Sequence, residues 1–255
     1  MGQRHTVKIL VANANTTQSV TDAVVAEARR HAAPGTEILG ATATLGVGIV
    51  STAAENVIAG HAALELLARE GQGVDAAILA ISFDTAIWAA QELFPFPVIG
   101  MTAAALHTAC LVGRRFGVIT FGQASRGLYL DLVDASGLRG RMTGLETIEL
   151  ASAAEYLQVE RLERAVLEAA ARLHQGGAGS VVIAGAAIAG MARRLQPAAP
   201  VQLLDGMGCA VRLAEMMVAL GVRPARAVPL VNAIPPQGLD AALARALRPV
   251  LPHPG

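Results

Sequence analysis

The sequence predicts an α/β protein built on parallel sheets. Three observations carry this reading. Apolar runs of strand length alternate with helical patterns along most of the chain, and the alternation restarts near residue 101. Hydrophobic residues make up 53% of the 255 positions and charged residues 16%, which suits a large aliphatic core. Strand–helix–strand order requires crossover connections, and these place neighbouring strands parallel with right-handed crossings. The length fits one large domain or two of about 125 residues each.

Residues 7–12 form an unbroken apolar run and read as a buried strand. The turn at 13–17 follows, with Thr16 or Thr17 placed to cap an amphipathic helix over 18–30. A second strand is expected at 37–41, and a helix at 53–70 closed by Gly71 and Gly73. The strongly apolar 76–81 is the third strand, 85–93 a helix and 98–100 a short fourth strand. The second half repeats the rhythm. Helices are expected at 102–112, 125–136, 155–174, 188–195 and 208–220, and strands at 116–120, 180–184 and 201–204. The 155–174 helix presents Leu157, Leu162, Val166, Ala169 and Leu173 on or near one face. This gives one unit at 1–100 and another at 101–220. The tail at 221–255, richer in Pro and Arg, is expected to complete the first unit.

Several function classes are disfavoured. Twenty basic and 20 acidic side chains balance, so long-range charge draws the chain neither to nucleic acid nor to an anionic membrane. The most apolar stretches are strand-length, far short of the ~20 residues of a membrane span. The first five residues are polar and lack a secretory pattern, and two cysteines make no disulfide framework, so a reducing cytoplasm is expected. The six histidines are scattered without a ligand pair at helical spacing, so no metal site is expected. There is no Gly-x-Gly-x-x-Gly after the first strand and no phosphate loop, so no nucleotide cofactor is expected.

Ligands of open α/β sheets bind beyond the carboxyl ends of the strands, which selects the candidate residues. Asn13 and Asn15 follow the first strand and can hold a carboxylate or imide beside a helix N-terminus, or simply form a turn. Ser82, Asp84 and Thr85 follow the third. Asp84 reads as a base or orienting carboxylate, or as the N-cap of the 85–93 helix. Thr120 ends the fifth strand, where its hydroxyl can meet an anion or cap a turn. The turn carrying Ile188, Ala189 and Gly190 offers backbone N–H groups to a carboxylate, or close helix–sheet packing.

At these strand ends the chain resembles the hydantoin/allantoin racemase branch of the aspartate/glutamate racemase superfamily. Residues 9–17, Ile-Leu-Val-Ala-Asn-Ala-Asn-Thr-Thr, resemble an apolar strand followed by Asn-Pro-Asn-Thr-Ser, with Ala14 in place of proline. Residues 74–80 and 89–93 resemble the region of that family's first cysteine. Ile188-Ala189-Gly190-Met191 resembles its second, which usually reads Cys-Ala-Gly-Met, and Asp205-Gly206 with 209–215 resembles the closing Asp-Gly and helix. The likeness spans roughly residues 7–220. It implies two similar αβα subdomains about a pseudo-twofold axis, a site in the cleft between them, and cofactor-free proton transfer by two cysteines on opposite sides of a carbon atom.

Both cysteines are replaced. An ungapped match puts Ile81 at the first position and Ile188 at the second, and a one-residue shift puts Ser82 at the first. Isoleucine carries no transferable proton, and serine is a weaker acid than cysteine by roughly five pKa units, on the order of 7 kcal/mol. The expected function is therefore an isomerase or lyase with altered chemistry, acting on a small carboxylate or cyclic ureide. Asp84 and Ser82 are its catalytic candidates. Asn13, Asn15, Thr85, Thr120, Ile81, Ile188, Ala189 and Gly190 are its binding candidates. The alternatives are a non-catalytic binding protein and a racemase that uses Cys209 or Ser82. A homo-oligomer is expected.

Overall fold

The structure, a computed structural model, describes residues 6–150, 152, 154, 155, 158–225 and 236–247. The first half runs β1 (Val7–Asn13), α1 (Gln18–His31), β2 (Thr36–Thr42), α2 (Ala53–Glu70), β3 (Ala76–Leu79), α3 (Ile87–Leu93), β4 (Val98–Gly100) and α4 (Met101–Val112). The second runs β5 (Phe116–Phe121), α5 (Arg126–Ala135), β6 (Met142–Ile148), α6 (Val159–Gln175), β7 (Ser180–Ile183), α7 (Met191–Leu195), β8 (Gln202–Asp205) and α8 (Gly206–Ala219). A short helix, α9 (Ala241–Ala246), follows. Each half forms a four-stranded parallel sheet. The orders are β2-β1-β3-β4 and β6-β5-β7-β8, the same topology twice.

The central strands are apolar on both faces because helices cover both faces. Every residue of β3, β5 and β7 is buried. Helices α4 and α8 are exchanged between the halves. Met207, Ala210, Val211 and Ala214 of α8 lie in the first half's core with Ile9, Ile78 and Ile99. Ala105, Leu106 and Ala109 of α4 pack with Phe116, Val118 and Val182 of the second. Helix α9 is capped by Asp240, which accepts from Ala242 N (2.7 Å) and Leu243 N (3.3 Å), and it packs on α2.

Several local expectations are corrected. Strand β6 was not anticipated, because its Thr143, Gly144, Glu146 and Thr147 break the apolar run and only Leu145 is buried. The helix after β3 starts at Ile87 rather than 85, since Asp84 (φ 48°) and Ala86 (φ 59°) make a left-handed turn. The helix after β7 starts at Met191, behind a 3-10 turn at Ala186–Ile188. Helix α6 starts at Val159, and Leu157 lies outside the described residues. Thr17 occupies the N-cap position of α1 without capping it, and its hydroxyl donates instead to Gly48 O at 2.7 Å. Among the described residues no helix is long and apolar enough to cross a membrane.

Candidate functional site

A cavity of about 360 Å³ opens where the carboxyl ends of the two sheets face each other. Asn15 lines it from the turn after β1, Ile49, Val50 and Ser51 from the loop before α2, and Ile81, Ser82 and Phe83 from the turn after β3. The second half supplies Phe121 at the end of β5 and residues 122–125 after it, Leu150 and Ser152 after β6, Ala184, Gly185, Ala186 and Ala187 after β7, and Tyr129 from α5. Among these lining residues there is no thiol, imidazole, carboxylate or amine. Where side chains are concerned, the cavity is a place for hydroxyls, amides and hydrocarbon.

Ser82 is its most elaborated polar residue. Tyr129 donates its phenol hydrogen to Ser82 Oγ at 2.7 Å, and Thr102 Oγ1 donates to the Ser82 carbonyl at 2.6 Å, lying 3.4 Å from Ser82 Oγ. The Tyr129 ring packs against Phe83 with centroids 4.8 Å apart. Tyr129 was missed in the sequence because it sits among Leu132 and Val133 on the buried face of α5, where it reads as core. The available signal was a phenol on the helix after β5, in a chain with only two tyrosines.

The repeated topology fixes which residue stands opposite. Ala80 N donates to Ala12 O (2.8 Å), and Ala184 N donates to Ile119 O (2.9 Å), so these pairs are equivalent in the two sheets. Two residues further on, Ser82 corresponds to Ala186, and both line the cavity. Ile188 does not line it. It is buried in the second half's core with Phe121 and Met191, because the 3-10 turn rotates it under the sheet end. Ile81 does line the cavity. Ala189 packs on the first half's core, and Gly190 donates its N–H to Asp205 at 3.1 Å, so both lie outside the lining.

Asn13 and Asn15 act as a pair. Asn13 Nδ2 donates to Asn15 Oδ1 (2.9 Å) and Thr21 Oγ1 (3.0 Å), and Asn15 Oδ1 also accepts from Thr17 N (2.9 Å). Asn15 reaches the cavity, and Asn13 behind it fixes its rotamer. Thr85 donates to Asn56 Oδ1, and Thr120 lies 3.4 Å from Ser125 Oγ; neither lines the cavity.

Asp84 is 1% exposed and outside the lining. It is a cap, but of a different helix from the one expected: Oδ1 accepts from Thr102 N (2.9 Å) and Oδ2 from Ala103 N (2.6 Å), at the start of α4. Burial pushes its carboxyl up to about 7, against the pull of those two N–H groups. Gly100 is required there, since a Cβ would stand 2.3 Å from Asp84 Cγ. Cys209 packs between the two cores outside the lining, and burial pushes its thiol up. Cys110 packs against the second half's core, also outside the lining.

The backbone adds donors. The N–H groups of Ser82 and Phe83, and those of the equivalent Ala186 and Ala187, have no hydrogen-bond partner among the described residues. Backbone N–H groups at buried positions are normally paired, and Ser82, Phe83 and Ala186 are buried while Ala187 is exposed, so the two turns offer three buried donors to acceptor oxygens beside the cavity. No group of three or more His, Cys, Asp or Glu suited to a metal ion occurs among the described residues.

This fold, with a site between two like parallel sheets, defines a class. The chain belongs to the Asp/Glu/hydantoin racemase family, whose model matches residues 9–214. It is 28% identical over 227 residues to a hydantoin racemase of Paenarthrobacter aurescens, covering 87% of this chain and 95% of that protein. It is also similar to a solved allantoin racemase from Klebsiella pneumoniae, at 32% identity and TM-score 0.81, covering 86% of this chain and 90% of that one. A second solved allantoin racemase, from Pseudomonas fluorescens, is 29% identical with TM-score 0.75, covering 86% and 94%.

Proposed function

We propose that the chain is a cofactor-independent lyase or isomerase that protonates one face of a carbanion derived from a small carboxylate or cyclic ureide. One observation carries the reading. Ser82 Oγ, hydrogen-bonded to the Tyr129 phenol at 2.7 Å, occupies one strand-end position of the cavity, while the equivalent position holds the methyl group of Ala186. A two-sided exchange needs a proton carrier at each position; this cavity has one at Ser82 and hydrocarbon at Ala186.

A serine–tyrosine pair holds both its protons at neutral pH, since a phenol ionises near 10, and so supplies a proton more readily than it takes one. It does not efficiently abstract a carbon-bound proton at neutral pH. It serves better where the carbanion forms by loss of carbon dioxide. The bond from the α-carbon to a carboxyl group then breaks, and its electron pair moves onto the adjacent carbonyl oxygen. The unpartnered N–H groups of the two strand-end turns stabilise that oxygen. Ser82 gives its proton to the carbon and takes one from Tyr129, whose phenolate recovers a proton from water. Val50, Ile81, Phe121 and Leu150 supply an apolar wall for the substituent and exclude water from the leaving carboxylate.

The test is incubation in heavy water with phenylmalonate and, separately, with enantiopure 5-benzylhydantoin. The reading expects carbon dioxide release with a single deuterium entering one face, lost in Ser82→Ala, and no loss of optical purity of the hydantoin. Racemisation of the hydantoin that persists in Ser82→Ala would refute it. A second reading, a non-catalytic binding protein, is favoured by the absence of any strong acid or base among the described lining residues. It predicts saturable binding of these compounds without turnover or exchange.

A further inference from the structure

The chain of contacts behind Ser82 leads to a carboxyl group that does not touch the cavity. We propose that Thr102 is the positioning residue of Ser82, and that the ionisation of Asp84 sets where Thr102 stands, so that the geometry of the strand-end turn follows pH. The inference rests on the role given to Ser82 above.

Thr102 is the joint. Its N–H is held by Asp84 Oδ1 at 2.9 Å, and its hydroxyl donates to the Ser82 carbonyl at 2.6 Å. Ser82 Oγ is thus held from two sides, by Tyr129 at 2.7 Å and by Thr102 Oγ1 at 3.4 Å. Ser82, Asp84, Thr102 and Tyr129 are all buried, so the bonds between them are made in a surround of low dielectric. Asp84 itself sits in a left-handed turn (φ 48°), with its carboxyl packed where a Cβ on residue 100 would otherwise stand.

The ionised carboxylate accepts both N–H groups of the α4 start with its two oxygens. Protonation turns one oxygen into a hydroxyl, whose hydrogen opposes the N–H it faced. One of the two bonds then weakens, the first turn of α4 loses an anchor, and Thr102 moves with it. Burial and those two N–H groups together place the change at about 7. No charged side chain among the described residues contributes to that position. His107, the ionisable group one turn along α4, bonds instead to the carbonyl of Ala103 at 2.7 Å. The Tyr129 phenol on α5 reaches Asp84 only through Ser82 and Thr102. Ser82 is therefore fully held above neutrality and relaxed below it, although the described lining residues include no carboxylate, imidazole or thiol.

Amide resonances of Thr102, Ala103 and Ser82, followed by heteronuclear NMR of the full chain across the neutral range, test this without a ligand. The expected result is a common midpoint near neutrality at all three positions. In Thr102→Val the Ser82 response is lost while that of Ala103 persists, and Thr102→Ser restores it. In Asp84→Asn all three lose the inflection. A Ser82 amide that titrates unchanged in Thr102→Val overturns the inference, as does the absence of any inflection at residues 102 and 103 in the natural chain. Failure of the functional reading has a different signature: Ser82→Ala would leave phenylmalonate turnover and binding unaltered while the Thr102 and Ala103 inflections remained.

Discussion

Asp84→Asn has a calculable effect on stability. The natural carboxyl ionises at about 7 in the folded chain and at its ordinary 3.8 once unfolded. Between those values the folded state holds a proton that the unfolded state has released. Stability therefore falls as pH rises through that window, and this group contributes no slope above or below it. Each pH unit corresponds to about 1.4 kcal/mol, so the gap of about three units is worth on the order of 4 kcal/mol between pH 4 and 7. Asparagine is isosteric and does not ionise, so the variant loses that slope. It also sets an amide NH₂ against the Ala103 N–H, but the hydroxyl of the protonated acid makes the same mismatch below neutrality, so this does not separate the two proteins at pH 4. Urea denaturation of both proteins at several pH values between 4 and 8 gives the two curves. The two proteins are expected to be similarly stable at pH 4, and the variant to become the more stable, by on the order of 4 kcal/mol, as pH approaches 8. Parallel curves would refute the reasoning, because they would mean that Asp84 ionises at its ordinary value despite its burial. Other titrating groups cancel in the difference between the proteins.

Three further outcomes are expected. Gly190 has φ 84°, and a Cβ there would lie 2.7 Å from Glu27 Oε2, a carboxylate held by Arg193 at 3.1 Å across the two halves; Gly190→Ala should cost about 2–4 kcal/mol in urea denaturation. Tyr129→Phe removes the donor to Ser82 at a stability cost of about 0.5–1.5 kcal/mol, and should abolish phenylmalonate turnover while circular dichroism is unchanged. The double variant Ser82→Cys with Ala186→Cys places thiols at the two equivalent positions and should confer α-proton exchange on 5-benzylhydantoin; the same exchange from Ser82→Cys with Ile188→Cys would show the register argument to be wrong.

The strands were legible in the sequence wherever both faces are covered, because burial on both sides writes a continuous apolar run, as in residues 76–79, 116–121 and 180–183. That also located the strand ends, and with them Asn15, Ile81 and Ser82 in the cavity wall. Strand β6 was illegible since it is half-exposed and carries Thr, Gly and Glu. Ile188 and Ala186 were told apart only by the sheet register, because a motif match follows letters and not the 3-10 turn that inserts between strand and helix. The partner of Asp84 lies 18 residues away at the start of α4, where local spacing offers no hint of it. Tyr129 and Ser82 are 47 residues apart, so their meeting is likewise a product of tertiary structure.

Because α8 shields β1, β3 and β4 while α4 shields β5 and β7, neither half owns its complete cover. A fragment cut at residue 100 would expose Ile9, Ile78 and Ile99 to water, and its counterpart would carry a helix with nothing to lie on. The two sheets are thus bound to unfold as one cooperative body. A hinge between them cannot open widely without baring apolar surface, so the entry of a ligand is restricted to the loops around the mouth of the cavity.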